Sequence, residues 1–268
     1  MKIGYCLNMV ATCPDGTGAE HLGTLKKLGY DYVELPCAEV AALDDEAFDA
    51  LAAKVSETGV PCEASNNFFP PSVRLTGPDA NSEKADSYVR RALSRLEHLG
   101  AKTVVFGSGA AKNVPASWPM EDGYAQVIGL LKRISPIAEE HGITIVIEPL
   151  RAAECNLINS FVDGVCLARD VNLENVRVLV DYYHLRVMDE PEWHLAVWGS
   201  EFLRHVHFAQ LEKRHCPSLS RLDAHYQPFF DALKKAGYDA RISCEAYTAG
   251  NFEADAAAAI EFLRSMTN

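Results

Sequence analysis

Short runs of β-branched and other apolar residues alternate along the chain with longer segments whose apolar positions recur at helical spacing. That alternation is the pattern of βα units packed around a parallel sheet. The spacing predicts eight strands, over residues 2–8, 32–35, 61–65, 103–106, 144–148, 177–181, 205–208 and 241–245. The helices between them have legible ends. Leu25-Lys26-Lys27-Leu28-Gly29 closes the first with a basic last turn and a glycine positioned to take a left-handed cap. Leu96-Glu97-His98-Leu99-Gly100, Glu139-Glu140-His141-Gly142 and Leu233-Lys234-Lys235-Ala236-Gly237 repeat the device, which assigns His98 and His141 to helix ends. Asp44-Asp45-Glu46 and Asn81-Ser82-Glu83 open helices with residues that cap free N–H groups. No Pro/Gly/Ser linker or low-complexity stretch interrupts the units, and no G-x-G-x-x-G follows the first strand. The predicted fold class is therefore α/β, a single (β/α)8 TIM barrel over residues 1–268 rather than an open doubly wound sheet.

Composition narrows the function. Hydrophobic residues make up 48% and charged residues 23% of the chain, enough apolar surface for one large core. With 25 Lys and Arg against 37 Asp and Glu, the formal net charge is −12 and no basic run breaks the acidic balance. Nucleic acid is a disfavoured partner, because its affinity comes largely from clustered cations. No apolar stretch is long enough to span a bilayer, and Met1 leads directly into the first strand without a signal-peptide pattern, so no membrane partner is expected. The eight cysteines include no C-x-x-C pair and read as reduced thiols, those in strands as small core residues. A cytoplasmic protein is the expectation.

In a barrel, residues at the C-terminal ends of strands face the active site. Four consecutive strand ends carry a strong metal ligand: Glu148 on the fifth, Asp181 on the sixth, His207 on the seventh and Glu245 on the eighth. Carboxylates directly after apolar strands are poor core residues unless something neutralises them. Three of them with one imidazole make an oxygen-rich site suited to a divalent metal ion, Mn²⁺, Mg²⁺, Co²⁺ or Zn²⁺. His205 shares a face with His207 but lies about 6.5 Å lower, too far for the same ion, and is expected to be a buried supporting imidazole. Gly107-Ser108-Gly109 offers a weak phosphate-cradle signal without a P-loop lysine. Trp118 and Phe68-Phe69 fall in the loops after the fourth and third strands, where an aromatic face could stack on a substrate; core packing is the competing reading.

The order Glu148-Pro149-Leu150, Asp181-Tyr182-Tyr183-His184, His205-Val206-His207 and Cys244-Glu245 resembles the sugar phosphate isomerase/epimerase superfamily of xylose-isomerase-like barrels, closest to the ketose 3-epimerases of the tagatose/psicose type. The resemblance spans essentially the whole chain. It implies a divalent metal, often manganese, held by Glu148, Asp181, His207 and Glu245. It further implies that His184 contacts a substrate oxygen, that Glu154 hydrogen-bonds a sugar, and that a cation soon after the histidine ligand, Arg214 or Lys213, reaches the site.

Two metal-bound glutamates suit proton transfer at the carbon next to a carbonyl through a metal-stabilised enediolate. Glu148 and Glu245 approach from different sides, so one would remove the proton and the other return it to the opposite face, an epimerisation. Return to the neighbouring carbon by a single residue would be an isomerisation. The expected partner is a small-molecule sugar or keto sugar, and the barrel's helices leave surfaces on which a homo-oligomer could form. One alternative is a metal-dependent lyase or dehydratase on keto-inositols or 3-keto glycosides. Another is a nuclease of the apurinic endonuclease kind, which the chain resembles also at Asp223-x-His225. Such an enzyme, however, needs histidines where this chain has Asn66, Asn67 and Ser108. A non-catalytic sugar-binding barrel is disfavoured by the filled ligand positions. The loop after the eighth strand carries no basic residue, which favours an unphosphorylated sugar.

Overall fold

Parallel pairing runs from the first strand to the last and back to the first. The computed structural model describes residues 1–267. In it β1 (Lys2–Cys6), β2 (Tyr32–Pro36), β3 (Cys62–Asn66), β4 (Thr103–Phe106), β5 (Thr144–Ile147), β6 (Val176–Asp181), β7 (Leu203–Phe208) and β8 (Arg241–Cys244) form a closed barrel in sequence order. This is the (β/α)8 TIM barrel that the alternation predicts. The strand ends shift slightly. β1 stops at Cys6 because Leu7–Met9 coil into a 3-10 turn. β5 stops before Glu148, since Pro149 has no N–H with which to continue a ladder.

Helix punctuation follows the sequence signals. Gly29 and Gly100 adopt left-handed caps, with φ of 84° and 94°, and donate their N–H groups to the last carbonyls of their helices. The side chains of Asp44 and Asn81 accept from the backbone N–H groups of Ala47 and Lys84. Of the two helix-end histidines, His98 lies in the last turn of Ser82–Leu99, and His141 caps Met120–Glu140 and pairs with Glu97 at 2.7 Å.

Register partners in a parallel sheet share a face, so the inward residues can be followed around the barrel: Gly4 beside Tyr32, Cys6 beside Glu34, Leu179 beside His205, Asp181 beside His207 and His207 beside Ser243. The Tyr32 hydroxyl meets Ser243 Oγ at 2.7 Å, although β1 stands between their strands. Gly4 makes this possible, because any Cβ there would overlap the Tyr32 ring. The lumen is thus divided. Its β7–β8–β1–β2 side holds His205, Ser243, Glu34 and Tyr32, whereas Val105, Val146 and Leu179 form a separate apolar cluster on the β4–β6 side. The main apolar core lies outside the barrel, between strands and helices. Among the described residues no helix is long and apolar enough to cross a membrane.

One buried cation ties the outer layer together. Arg95, on the helix Ser82–Leu99, donates to the carbonyls of Val40 at 2.8 Å and Leu43 at 2.7 Å and to Asp45 Oδ1 at 2.8 Å, with its guanidinium 4.6 Å from the Phe48 ring centre. Arg95→Met keeps an apolar stem and removes every donor. It is expected to lower unfolding free energy by about 2 kcal/mol in urea titrations, because buried carbonyls lose charged partners. A change within roughly 0.5 kcal/mol, the range of ordinary surface substitutions, would show that these bonds do not hold the layer.

Candidate metal centre and substrate cavity

Four neighbouring strands deliver the charged cluster. Glu148 follows β5, Asp181 ends β6, His207 lies within β7 and Glu245 follows β8; one donor atom from each lies within 4.8 Å of all the others. All four side chains are buried. They are brought together because consecutive inward positions of a closed barrel converge at its mouth, as the direct pairing of Asp181 with His207 illustrates. A cavity of about 360 Å³ opens above them, lined among others by Glu148, Glu245, His184, Glu154 and Arg214. That volume suits a small ligand. A larger cavity of about 570 Å³, against the helix Asp45–Thr58, brings only Asp49 and His98 as titratable groups and gathers no comparable chemistry.

His207 is oriented from below. Its Nε2 lies 3.1 Å from Glu34 Oε1, while its Nδ1 faces Glu148 Oε1 at 3.3 Å and Glu245 Oε2 at 3.1 Å. Glu34 also pairs with His205 Nε2 at 2.8 Å and accepts from Ser243 Oγ at 2.6 Å. Burial alone would raise the Glu34 carboxyl, but His207 and His205 hold it well below the usual carboxylate range. With Glu34 ionised, the Nε2–H of His207 is donated downward; burial opposes a charge on the ring, but Cys6, Glu34 and Glu245 hold its second proton well above the usual imidazole range, so Nδ1 faces the mouth as a nitrogen that would give up its proton to bind a cation. His205 is the supporting imidazole that strand alternation predicts. Glu34 itself is absent from the sequence reading. Its signal is an acid at an inward position of an otherwise apolar strand, Tyr32-Val33-Glu34-Leu35.

The glutamates differ in environment. Burial, and then the charge of Glu245, raise the Glu148 carboxyl above its ordinary value. Burial opposes ionisation of Glu245 too, but His207 and Arg214 outweigh it and bring Glu245 down to about 2. Arg214 Nη2 donates to Asp181 Oδ2 at 2.9 Å and to Glu245 Oε2 at 2.5 Å, and Asn66 Nδ2 donates to Glu245 Oε1 at 3.1 Å. Lys213 and Arg214 both take left-handed backbone conformations, φ 56° and 53°, strained for residues with side chains. The cavity is lined by Arg214 and not by Lys213. Among the described residues, Glu148 has no arginine or lysine side chain paired with its carboxylate. Three buried carboxylates converge on one imidazole nitrogen, with a single guanidinium and the His207 proton to offset them, and an oxygen-rich set of this kind fits a divalent cation in place of that proton.

Other expected residues divide. His184 lines the cavity. Its Nδ1 accepts from the Arg151 N–H at 3.2 Å, which puts the proton on Nε2, and that nitrogen is buried without a hydrogen-bond partner. Glu154 also lines it and accepts from Arg151 at 2.6 Å. Phe68, expected at the substrate, is instead fully buried, with its ring centre 4.4 Å from that of Phe69. Asn67 adopts φ 49°, which breaks the strand alternation, and Phe69 lines the cavity in place of Phe68. Trp118 is likewise not among the lining residues; its backbone N–H closes a turn onto the Pro115 carbonyl at 2.8 Å, and its indole N–H is buried without a partner among the described residues. The glycines around Ser108 serve close packing: a Cβ on Gly107 would strike the Glu148 carboxylate, and one on Gly109 would lie 2.5 Å from the Glu154 carbonyl. Asp223 accepts from the His225 N–H at 2.8 Å, and neither residue lines the cavity. Lys112, unremarked in the sequence, is completely buried and donates to the carbonyls of Phe106, Gly107 and Glu148, clamping the ends of β4 and β5.

Fold and site together define a barrel with a candidate divalent-metal centre and a pair of buried acids at its C-terminal mouth. The chain belongs to the xylose isomerase-like TIM barrel family, whose model matches residues 22–266. It is 24% identical over 255 residues to the ketose 3-epimerase of Arthrobacter globiformis, covering 92% of this chain and 84% of that protein. It is also 24% identical over 242 residues to the 3-dehydro-D-guloside 4-epimerase of Escherichia coli K12, covering 82% and 84%. The crystal structure of D-psicose 3-epimerase with D-tagatose from Clostridium cellulolyticum H10 superposes with a TM-score of 0.85 at 18% identity, covering 100% of both chains. The chain is an enzyme of the isomerase/epimerase type.

Metal analysis of protein loaded with Mn²⁺ and desalted is expected to find a single bound ion per chain, lost in the Asp181→Ala, His207→Ala double variant. Chelation should lower the melting temperature of the wild type, since an ion bound only by the folded state stabilises it. Equal loading of variant and wild type would remove these residues from the ligand set.

Proposed function

We propose that this protein is a divalent-metal-dependent epimerase of keto sugars that inverts the carbon next to the carbonyl, with Glu148 and Glu245 as its acid/base pair. The observation that carries the reading is the pair itself: two buried carboxylates, each directly after its strand, β5 and β8, 3.3 and 3.1 Å from His207 Nδ1 and both lining one cavity. Glu148, Asp181, His207 and Glu245 would hold the ion, with manganese expected and Mg²⁺, Co²⁺ or Zn²⁺ suited to the same donors. When bound, a divalent cation supplies positive charge where negative charge develops on the substrate oxygen as the proton leaves.

The chain's own groups do the rest. One glutamate takes the proton from the carbon beside the carbonyl and becomes a carboxylic acid. The other, entering as the acid, gives its proton to the opposite face of the enediolate and becomes a carboxylate, so the centre is inverted and the net proton count is unchanged. His184 Nε2–H is free to donate to a substrate oxygen, and Glu154, half-exposed at the rim, to accept from a hydroxyl. Arg214 anchors Glu245 and Asp181 while presenting its guanidinium to the cavity. The names of the relatives, a ketose 3-epimerase and a 3-dehydro-D-guloside 4-epimerase, support a keto-sugar substrate. The nuclease alternative loses ground at Asn66, which is spent on Glu245 and on Asn8 Oδ1 at 2.7 Å.

Glu148→Gln and Glu245→Gln keep an oxygen at each position and remove the base. Each is expected to lower kcat by roughly 10²–10⁴-fold on a ketose that the wild type turns over, with metal retained in at least one of the two variants. Near-wild-type turnover by either variant would exclude that residue from the pair.

A further inference from the structure

The cavity has a second wall that the proposed reaction does not use. β2 stands diametrically opposite β6 in the closed strand order, so the loop after β2 faces Asp181 across the mouth. That loop begins the short helix Cys37–Ala42, whose Glu39 lines the cavity together with Asn8, Asn67 and Ser108. Glu39 Oε2 is buried and has no hydrogen-bond partner among the described residues. The loop after β1 covers the side chain from behind, where a Cβ on Gly16 would lie 3.1 Å from Glu39 Cγ.

A buried carboxylate oxygen without a donor is costly, and an ionised carboxylate can only accept. What satisfies it is a hydrogen-bond donor, and on a sugar that donor is a hydroxyl. A phosphate or a second carboxylate would set negative charge against negative charge in a partly dehydrated wall. No compensating cation is at hand: the lining residues include no lysine, and their one arginine, Arg214, is already engaged by Asp181 and Glu245.

We propose that Glu39 is a specificity-determining residue, accepting hydrogen bonds from hydroxyl groups at the end of the substrate remote from the reacting carbon and rejecting substrates that carry an anionic group there. The inference rests on the keto-sugar reading above and adds to it a residue that selects for a neutral polyol tail. Burial, which raises the Glu39 carboxyl, is consistent with a wall built to be covered by ligand.

The test compares D-psicose, D-tagatose and L-ribulose with D-psicose 6-phosphate on Mn²⁺-loaded wild type and on Glu39→Gln, which keeps the shape and loses the charge. The wild type is expected to favour at least one neutral ketose over the phosphate by about tenfold or more in kcat/KM, and Glu39→Gln to reduce that ratio by about tenfold, chiefly through KM for the phosphate. Metal content and melting temperature of the variant should match the wild type, which separates charge selection from loss of structure. An unchanged ratio in Glu39→Gln, or a wild type that prefers the phosphate, overturns the role of Glu39 and leaves the epimerase reading standing. Turnover of none of the four sugars by the wild type overturns the epimerase reading, and this inference falls with it.

Discussion

The mouth of this barrel concentrates negative charge where water is largely excluded. Glu148, Asp181 and Glu245 are all buried within a few ångströms of one another, and an arrangement of this kind persists only if each charge is compensated. Much of the surrounding structure can be understood as that compensation. Arg214 is carried back over the mouth by two successive left-handed residues to reach Asp181 and Glu245. Asn66 donates to Glu245 from the opposite side. His207 stands between the glutamates, and Glu148 alone keeps no permanent cation beside its carboxylate.

The same constraint reaches down into the lumen. For His207 to offer Nδ1 upward, its Nε2 must be held from below, and Glu34 does this while resting on His205 and Ser243. Ser243 in turn meets Tyr32 across the gap left by Gly4. A missing side chain near the bottom of the barrel is therefore connected, by four hydrogen-bonded or packed steps, to the orientation of an imidazole at the top. The remaining side of the lumen, at Val105, Val146 and Leu179, has no such duty and is simply apolar. Strands and their ends position the cluster, whereas the loops after β1 to β4 supply most of the facing wall of the cavity.

What the sequence reveals follows from the same division. Strand order, helix caps and the convergence of Glu148, Asp181, His207 and Glu245 are legible because alternation and strand-end position fix which way a side chain points. Loop residues lack that rule. Phe68 and Phe69 are adjacent, and only the left-handed turn at Asn67 decides that Phe69 faces the cavity. The choice between Arg214 and Lys213 depends on the same kind of local twist. Trp118 lies in the same loop after β4 as lining residues 107–110, and nothing in the sequence shows that the loop turns before it and leaves it outside the cavity. Glu34 is hidden for a different reason: an acid inside a strand has the pattern of an edge or surface residue until its neighbours across the barrel are known.

If the buried acids exist to move a proton between the two faces of one carbon, solvent hydrogen must appear in the product. The direct measurement is turnover of D-psicose by the Mn²⁺-loaded enzyme in D₂O, with the product ketose examined by NMR. Two separate carboxyl groups, one taking the proton and the other delivering one equilibrated with solvent, predict a deuterium on the inverted carbon of each product molecule. Epimerised product that keeps its original hydrogen at that carbon would contradict the account.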